Sequence, residues 1–177
     1  MDIDRQIATA LGFPKPHYMV VERERRWLCR ELPRERIVQT EAITDLYVTG
    51  TRLRLREARP IDGGPPMLRL SRKADVDART RLIASIYLTE EEFALLAASL
   101  KGVRIKKLRH RLERLPGVVM AVDAFEAELD GLLIAEAEFE TPELLAAFPK
   151  PDFATREVTD DPRFTGASLA SNGLPPL

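Results

Sequence analysis

Charged side chains recur at every second position in five or more stretches of this chain, and this pattern constrains the fold more than any other feature. Successive side chains of a β-strand point to opposite faces, so each charged row lies on one side of its strand. The opposite positions are partly apolar, as at Leu53 and Leu55 or at Leu133 and Phe139. In chain order the rows are Glu22, Glu24 and Arg26; Arg52, Arg54 and Arg56; Arg69, Ser71 and Lys73; Lys107 and Arg109; Asp123; and Glu136 and Glu138.

The distribution of strand and helix signals predicts an α+β fold in which antiparallel strands dominate. Helices are predicted after Thr89, which forms a capping box with Glu92, and after Thr141, which precedes Pro142. A short amphipathic helix is predicted before Gly12. Strand candidates begin at residue 18 and continue at 44–57, 67–73, 82–88, 103–111, 118–129 and 132–140, with turn signals between them.

The charged rows allow two arrangements of the sheet. For any one strand taken alone, a solvated face is the commoner outcome. Several strands that behave alike favour the second arrangement, a closed tunnel with the apolar faces outward under the helices and the charges inside. Isolated charges are expensive to bury, so acids and bases inside a tunnel must pair or hold ions. A polyanion with divalent cations would neutralise both sets of charges at once.

Length, charge and cysteine content limit the domain count, the binding partners and the cellular compartment expected for this chain. The 177 residues suit one domain, and the formal net charge of -1 indicates no surface for nucleic acid or a membrane. The single Cys29 excludes an intrachain disulfide framework and is typical of a reducing compartment. Without a signal peptide or an apolar stretch of about 18 residues, the chain is expected to be cytoplasmic. The expected organisation is an N-terminal appendage at 1–17, the strand-rich domain at 18–170 and a flexible tail at 171–177.

Six blocks of the sequence resemble, in order, the motifs of the CYTH superfamily, the triphosphate tunnel metalloenzymes. The first block is similar to the ExExK strand of that family, which is a weak signal alone, but six blocks in the same order are a strong one together. The match runs from about residue 18 to about residue 169. The blocks are VERERRWL at 21–28, RLRLR at 52–56, LRLSRK at 68–73, KLR at 107–109, VDAF at 122–125 with GLLIAEAEF at 131–139, and REVT at 156–159.

The resemblance implies a closed eight-stranded antiparallel tunnel that holds a triphosphate and one or two Mg²⁺ or Mn²⁺ ions. Hard divalent ions prefer oxygen ligands, and Arg matches phosphate oxygens bidentately, so the residue types suit both roles. Carried over residue by residue, the catalytic positions are Glu22, Glu24 and Arg26, and the metal ligands are Glu22, Glu24, Asp123, Glu136 and Glu138. The phosphate-binding residues implied in the same way are Arg54, Arg56, Lys73, Lys107 and Arg109.

The chain departs from the family pattern at one position, because Arg26 stands where ExExK has lysine. The family lysine is expected to contact the terminal phosphate and help to activate water. Arg keeps the charge but stays protonated, so it cannot share in proton transfer. Binding of a triphosphate therefore follows from the sequence more directly than turnover. Tyr47 is a candidate hydroxyl inside the tunnel, although a Tyr in a strand is more often a packing residue.

Three functions remain open on these residues. The leading hypothesis is a metal-dependent hydrolase of inorganic triphosphate or a related organic triphosphate. The second is a class IV type adenylate cyclase, although no adenine or ribose pocket is identified in the sequence. The third is a non-catalytic module that binds polyphosphate or a nucleotide. The expected partner is a small molecule that contains a triphosphate, and a homodimer is compatible with the sequence, which does not determine the oligomeric state.

Overall fold

Nine β-strands form one antiparallel sheet that closes on itself in the computed structural model, which describes residues 3–176. Their bounds are β1 Val20–Cys29, β2 Ile37–Val48, β3 Leu53–Pro60, β4 Met67–Asp75, β5 Thr80–Tyr87, β6 Gly102–Leu112, β7 Val118–Phe125, β8 Leu133–Phe139 and β9 Ala154–Glu157. The strand order is β5-β4-β3-β2-β6-β7-β8-β1, and a further pairing of β5 with β1 closes the ring. The predicted α+β class and the eight-stranded antiparallel tunnel are confirmed.

Strand β1 is the seam of the tunnel and pairs with three other strands. Its first half, Val20 to Arg23, pairs with β5, while residues 24–28 pair with β8 and residues 27–29 pair with β9. Between β5 and β9, the amide of Glu24 donates to the carbonyl of Arg79 at 2.8 Å, and the amide of Arg26 donates to the Thr159 hydroxyl at 2.9 Å. The charged row of β1 is therefore held from both edges of the strand.

The sequence prediction differs from the structure at three places in the sheet. The single strand expected at 44–57 is a hairpin of β2 and β3, because Gly50 adopts a φ of 74° in the turn between them. The strand expected at 118–129 ends at Phe125, where a 3₁₀ turn at Ala127–Leu129 begins. Strand β9 was not predicted, since four residues are too few to show a clear alternation.

Four α-helices and four 3₁₀ turns connect and cover the strands. The predicted capping box is confirmed, since the Thr89 hydroxyl accepts from the Glu92 amide at 3.3 Å and Glu92 Oε2 accepts from the Thr89 amide at 2.9 Å. The hydroxyl of Thr141 caps the third helix in the same way, through the Leu144 amide. The α-helices are α1 Arg5–Ala10, α2 Glu90–Ser99, α3 Pro142–Ala147 and α4 Gly166–Asn172; the 3₁₀ turns are Pro16–Tyr18, Arg34–Arg36, Ala127–Leu129 and Pro162–Phe164.

The main apolar core lies outside the tunnel, between its wall and α3. Trp27 is fully buried in this cluster with Val122 and Phe139, and the α3 residue Leu144 packs against them. Burying one large apolar side chain contributes about 1.5–3 kcal/mol, so this layer stabilises the closed sheet from outside. The predicted position of Trp27 on the outer face under a helix is confirmed. Leu53 and Phe139 also border the central cavity, so the separation of apolar and charged faces is not complete.

The first and the last helix of the described residues both pack on the tunnel wall. Ala8 and Phe13, on α1 and just after it, form a buried cluster with Ala74 of β4 and Leu82 of β5. Leu169 of α4 packs into a second cluster at one end of the tunnel. Within the described residues, no helix is both long and apolar enough to cross a membrane.

Candidate functional site

A cavity of about 850 Å³ runs inside the closed sheet. Its lining includes every side chain predicted for the site except Asp123. Because these residues come from β1, β3, β4, β6 and β8, only closure of the sheet brings them together. The charged rows that alternate along the strands therefore face the interior, and they converge on one space.

Asp123 belongs to the site but lies behind its surface. Its side chain is almost fully buried, and it accepts hydrogen bonds from Lys107 Nζ at 2.5 Å and from Arg109 Nε and Nη2 at 2.7 Å each. Burial alone would raise the pKa of Asp123, but the two cations outweigh that effect and lower it. In this arrangement Asp123 positions Lys107 and Arg109 toward the cavity.

Glutamates from β1 and β8 form the acidic side of the cavity. The register places Glu24 opposite Glu138 and Arg26 opposite Glu136. Glu136 accepts a hydrogen bond from Arg109, whereas Glu138 is exposed and has no hydrogen bond or ion pair within residues 3–176.

Glu22 and Lys73 form an ion pair across the tunnel, from β1 to β4. Lys73 Nζ lies 3.1 Å from Glu22 Oε2, and Arg81 of β5 lies 3.8 Å from the same oxygen. Burial would raise the pKa of Glu22, but these two cations lower it. For Lys73, burial followed by repulsion from Arg54 lowers the pKa to about 8, although Glu22 opposes the shift.

Glu24 differs from its neighbours because its environment favours the protonated form. Burial, followed by the negative charge of Glu136, raises the pKa of Glu24 to about 7. Its nearest cations are at the outer limit of ion-pair distance, with Arg26 Nε at 3.4 Å and Arg81 Nη1 at 3.8 Å. A buried carboxylate repelled by other carboxylates is a group that a bound cation would stabilise.

Asp45 of β2 is a member of the site that the sequence prediction missed. It is fully buried and accepts two hydrogen bonds of 2.6 Å from Arg56, while Arg54 Nε lies 3.6 Å from its Oδ1. The cations lower the pKa of Asp45 although burial alone would raise it. The sequence did offer one signal, because Asp45 and Tyr47 are two residues apart and therefore lie on the same face of a strand. A single acid, however, does not form a row of charges that would indicate a site.

Arg26 lines the cavity, yet its hydrogen bonds run to the C-terminal segment. Its guanidinium donates to the carbonyl of Phe164 through Nη1 and to the carbonyl of Thr159 through Nη2, both at 3.3 Å. Thr159 ends the REVT block, and Glu157 in the same block binds Arg25 with two hydrogen bonds of 2.7 and 2.8 Å. The block therefore anchors the middle of β1 to the segment that leads into α4.

Tyr47 lies where α4 meets the tunnel. A Cβ atom on Gly166, the first residue of α4, would lie 1.9 Å from the Tyr47 hydroxyl, so only glycine allows this approach. Tyr47 also lines the cavity, and burial followed by the charge of Asp45 raises the pKa of its hydroxyl. At this end the cavity is bordered by α4 together with Phe164.

The donor set suits a hard divalent cation, although the carboxylates are held by other partners. Across residues 3–176, no three His, Cys, Asp or Glu side chains are grouped closely enough to bind a metal ion as they stand. Glu22 and Glu136 are instead engaged by Lys73 and Arg109. Carboxylate oxygens are the ligands that Mg²⁺ and Mn²⁺ prefer, so the residue types on this side of the cavity fit such an ion.

Comparison with known proteins agrees with this geometry. No protein-family model matches the chain. A segment of 68 residues is 44% identical to an inorganic triphosphatase of Acetivibrio thermocellus, covering 38% of this chain. That match spans 42% of the relative, which is less than half of its length.

Solved structures match over most of the chain. The inorganic triphosphatase NE1496 is 24% identical, with a TM-score of 0.58 over 86% of this chain and 96% of that one. The PH1819 protein of Pyrococcus horikoshii OT3 is 21% identical, with a TM-score of 0.56 over 71% of this chain and 82% of that one. Sequence identity below 25% establishes the fold alone. The chain shares with these proteins a closed ring of eight antiparallel strands, which is the tunnel fold that the resemblance to the CYTH superfamily implied.

Proposed function

We propose that this protein is a divalent-metal-dependent hydrolase that cleaves the terminal phosphoanhydride of inorganic triphosphate or of a related organic triphosphate. The observation that carries the proposal is the convergence of four glutamates and at least five cations on one cavity inside the closed sheet. Such an interior is costly for the empty protein, and a polyanion with divalent cations would satisfy both sets of charges. The similarity to inorganic triphosphatases supports the same assignment.

In this proposal the cations bind the phosphates and hold them in line. Asp45 orients Arg54 and Arg56, and Asp123 orients Lys107 and Arg109. These four cationic side chains are therefore held in place before a phosphate binds. A guanidinium presents parallel donors to phosphate oxygens, which fixes orientation as well as charge. Phosphoryl transfer depends mainly on this positioning and on electrostatic stabilisation.

The glutamates of β1 and β8 would hold the metal. Mg²⁺ or Mn²⁺ bound by Glu22, Glu24, Glu136 and Glu138 would neutralise phosphate charge and lower the pKa of a water molecule. Without a metal ion the pKa of Glu24 is raised to about 7, and a bound divalent cation would favour its carboxylate form. The Arg26 guanidinium would supply positive charge, and it binds the segment that leads into α4.

A substrate panel tests the proposal. The purified chain is incubated with Mg²⁺ or Mn²⁺ and with tripolyphosphate, ATP or pyrophosphate, and products are separated by ion-exchange chromatography. The hydrolase releases orthophosphate from tripolyphosphate. Cyclic AMP formed from ATP would instead establish a cyclase, and binding without any product would establish a non-catalytic module.

The variant Glu138→Gln tests the metal assignment. It keeps the size of the side chain but removes one charge, so turnover is expected to fall by about 100-fold, with partial rescue by excess metal. Binding of tripolyphosphate should survive, because the Arg and Lys residues remain. The matched control is Glu126→Gln, at an exposed position outside the cavity, which should keep the wild-type rate. Wild-type turnover by Glu138→Gln would refute the assignment of Glu138 to the metal.

A further inference from the structure

The cations of the tunnel differ in whether an acid neutralises them. Arg26 lies 3.4 Å from Glu24 and Lys73 lies 3.1 Å from Glu22, and the other buried cations of the lining have acidic partners in the same way. Arg69 of β4 also lines the cavity and is half-buried. Among the residues that the structure describes, it forms no ion pair, and its Nε is shielded from solvent without a hydrogen-bond partner.

The residues around Arg69 are also cationic, which raises the energetic cost of leaving it without an acidic partner. In the sheet it lies directly opposite Arg56 on one side and Tyr87 on the other. Arg56 is already bound by Asp45, which Arg54 also approaches, so three guanidinium groups share one nearby acid. Burial, followed by the charges of Arg56 and Arg54, lowers the pKa of Arg69. A half-buried cation beside like charges is stabilised when an anion binds between them.

Arg69 also lies far from the glutamates. On β4 it is four residues from Lys73, which contacts Glu22, and a strand rises by about 3.3 Å per residue, so the two Cα atoms are roughly 13 Å apart. The residue between them on the same face is Ser71, whose hydroxyl is hydrogen-bonded to that of Ser85 at 2.8 Å. The tunnel therefore has an acid-rich pole at Glu22, whereas Arg69 lies across Arg56 from a single acid, Asp45, which Arg54 and Arg56 already hold.

We propose that Arg69 binds the outermost, non-reacting phosphate of the substrate and thereby selects triphosphates over diphosphates. This inference rests on the proposed function, because it takes the tunnel to be a polyphosphate site. The reacting phosphate lies toward the glutamates, and the phosphate at the other end of the chain lies between Arg56 and Arg69. A diphosphate bound at the acid-rich pole is too short to reach Arg69.

The test compares Arg69→Gln with wild type in isothermal titration with tripolyphosphate and with pyrophosphate, both in the presence of Mg²⁺. Hydrogen bonds to charged groups contribute about 1.5–3 kcal/mol, so the affinity for tripolyphosphate should fall by about 10- to 100-fold. The affinity for pyrophosphate should change by less than about 3-fold. In turnover, KM for tripolyphosphate should rise while kcat stays within about 3-fold of wild type.

Two further variants sharpen the test. Arg69→Lys keeps the charge but loses the two-pronged donor, so its affinity for tripolyphosphate should be intermediate. Arg114→Gln is the matched control, because Arg114 is exposed and lies outside the cavity lining, so this variant should bind tripolyphosphate as wild type does. Circular dichroism verifies that each variant is folded.

The outcomes separate this inference from the proposed function. Wild-type affinity of Arg69→Gln for tripolyphosphate would overturn the assignment, and so would an equal loss for tripolyphosphate and pyrophosphate. If the wild-type protein itself binds no tripolyphosphate, the proposed function fails, and the role of Arg69 fails with it. The assignment of Arg69 is supported if Arg69→Gln, but not the control variant, loses affinity for tripolyphosphate while keeping its affinity for pyrophosphate.

Discussion

Two buried aspartates on either side of β6 hold cations toward the cavity, and they differ in charge balance. Asp45 holds Arg54 and Arg56, while Asp123 holds Lys107 and Arg109. The Asp123 group has a second acid, since Arg109 also binds Glu136. Two cations against one acid leave the Asp45 group with a net positive charge, whereas two cations against two acids leave the Asp123 group neutral.

The two groups differ in net charge, and the proposed function assigns phosphate binding to the positive group and metal binding to the side of the neutral group. The positive excess lies on β3 and extends to Arg69 on β4, which is the side to which the proposed function assigns the phosphates. The balanced side faces the glutamates of β1 and β8, to which the proposed function assigns the metal ions. The Asp45 group and the Asp123 group each pair one aspartate with two cations, but they belong to different parts of one site.

The largest effect is expected for Asp45→Asn, which leaves Arg54 and Arg56 buried without an anion. Removing one partner from a buried ion-pair group costs about 3–5 kcal/mol, so the free energy of unfolding in urea should fall by about that amount. Added tripolyphosphate should restore part of the loss, because it supplies the missing negative charge. The control is Asp152→Asn, which breaks an exposed pair with Arg36 and should leave the free energy of unfolding close to that of wild type. Equal losses in the two variants would contradict the proposed role of Asp45.

A smaller loss is expected for Asp123→Asn, because Glu136 still neutralises Arg109. We expect the free energy of unfolding to fall by about 2–3 kcal/mol, which is less than for Asp45→Asn. Turnover should fall as well, since Lys107 and Arg109 lose their orientation, but excess metal should not restore it. Rescue of Asp123→Asn by Mg²⁺ or Mn²⁺ in a phosphate-release assay would show instead that Asp123 is itself a metal ligand.

The smallest effect concerns the pH dependence of stability in the metal-free protein. The folded-state pKa of Glu24 is about 7, above the value of about 4.3 for an unperturbed glutamate, so between these values the folded state holds a proton that the unfolded state lacks. This contribution to stability is present at low pH and is lost as the pH rises through 7. We expect the free energy of unfolding to fall by roughly 1–3 kcal/mol between pH 5 and 7.5.

Urea titrations at each pH measure this effect. Glu24→Gln should reduce the slope, because an amide does not titrate, although the raised pKa of Glu138 leaves part of it; Glu126→Gln should keep the full slope. The lowered pKa values of Asp45 and Asp123 act in the opposite sense, since their contribution is lost only as the pH falls below about 4. A flat profile for the wild type between pH 5 and 7.5 would contradict the environment assigned to Glu24.

Alternation in the sequence was sufficient to predict which residues share the interior. The row Arg54 and Arg56 and the row Glu136 and Glu138 both line the cavity as expected, because side-chain direction in a strand depends only on local backbone geometry. The capping box at Thr89 was likewise predicted from residues three positions apart. Local signals were insufficient at Gly50, where a turn divides one apparent strand into two.

The pairing of acids with cations could not be predicted in the same way. Asp45 faces Arg56 and Asp123 faces Arg109 because the strands align in one register, and register depends on closure of the whole sheet rather than on neighbours in sequence. The sequence by itself determined a tunnel lined with glutamate, arginine and lysine. Only the tertiary structure decided that Asp123 lies behind two cations and that Arg69 is left without an acid, because burial and cross-strand distance arise only when distant strands meet.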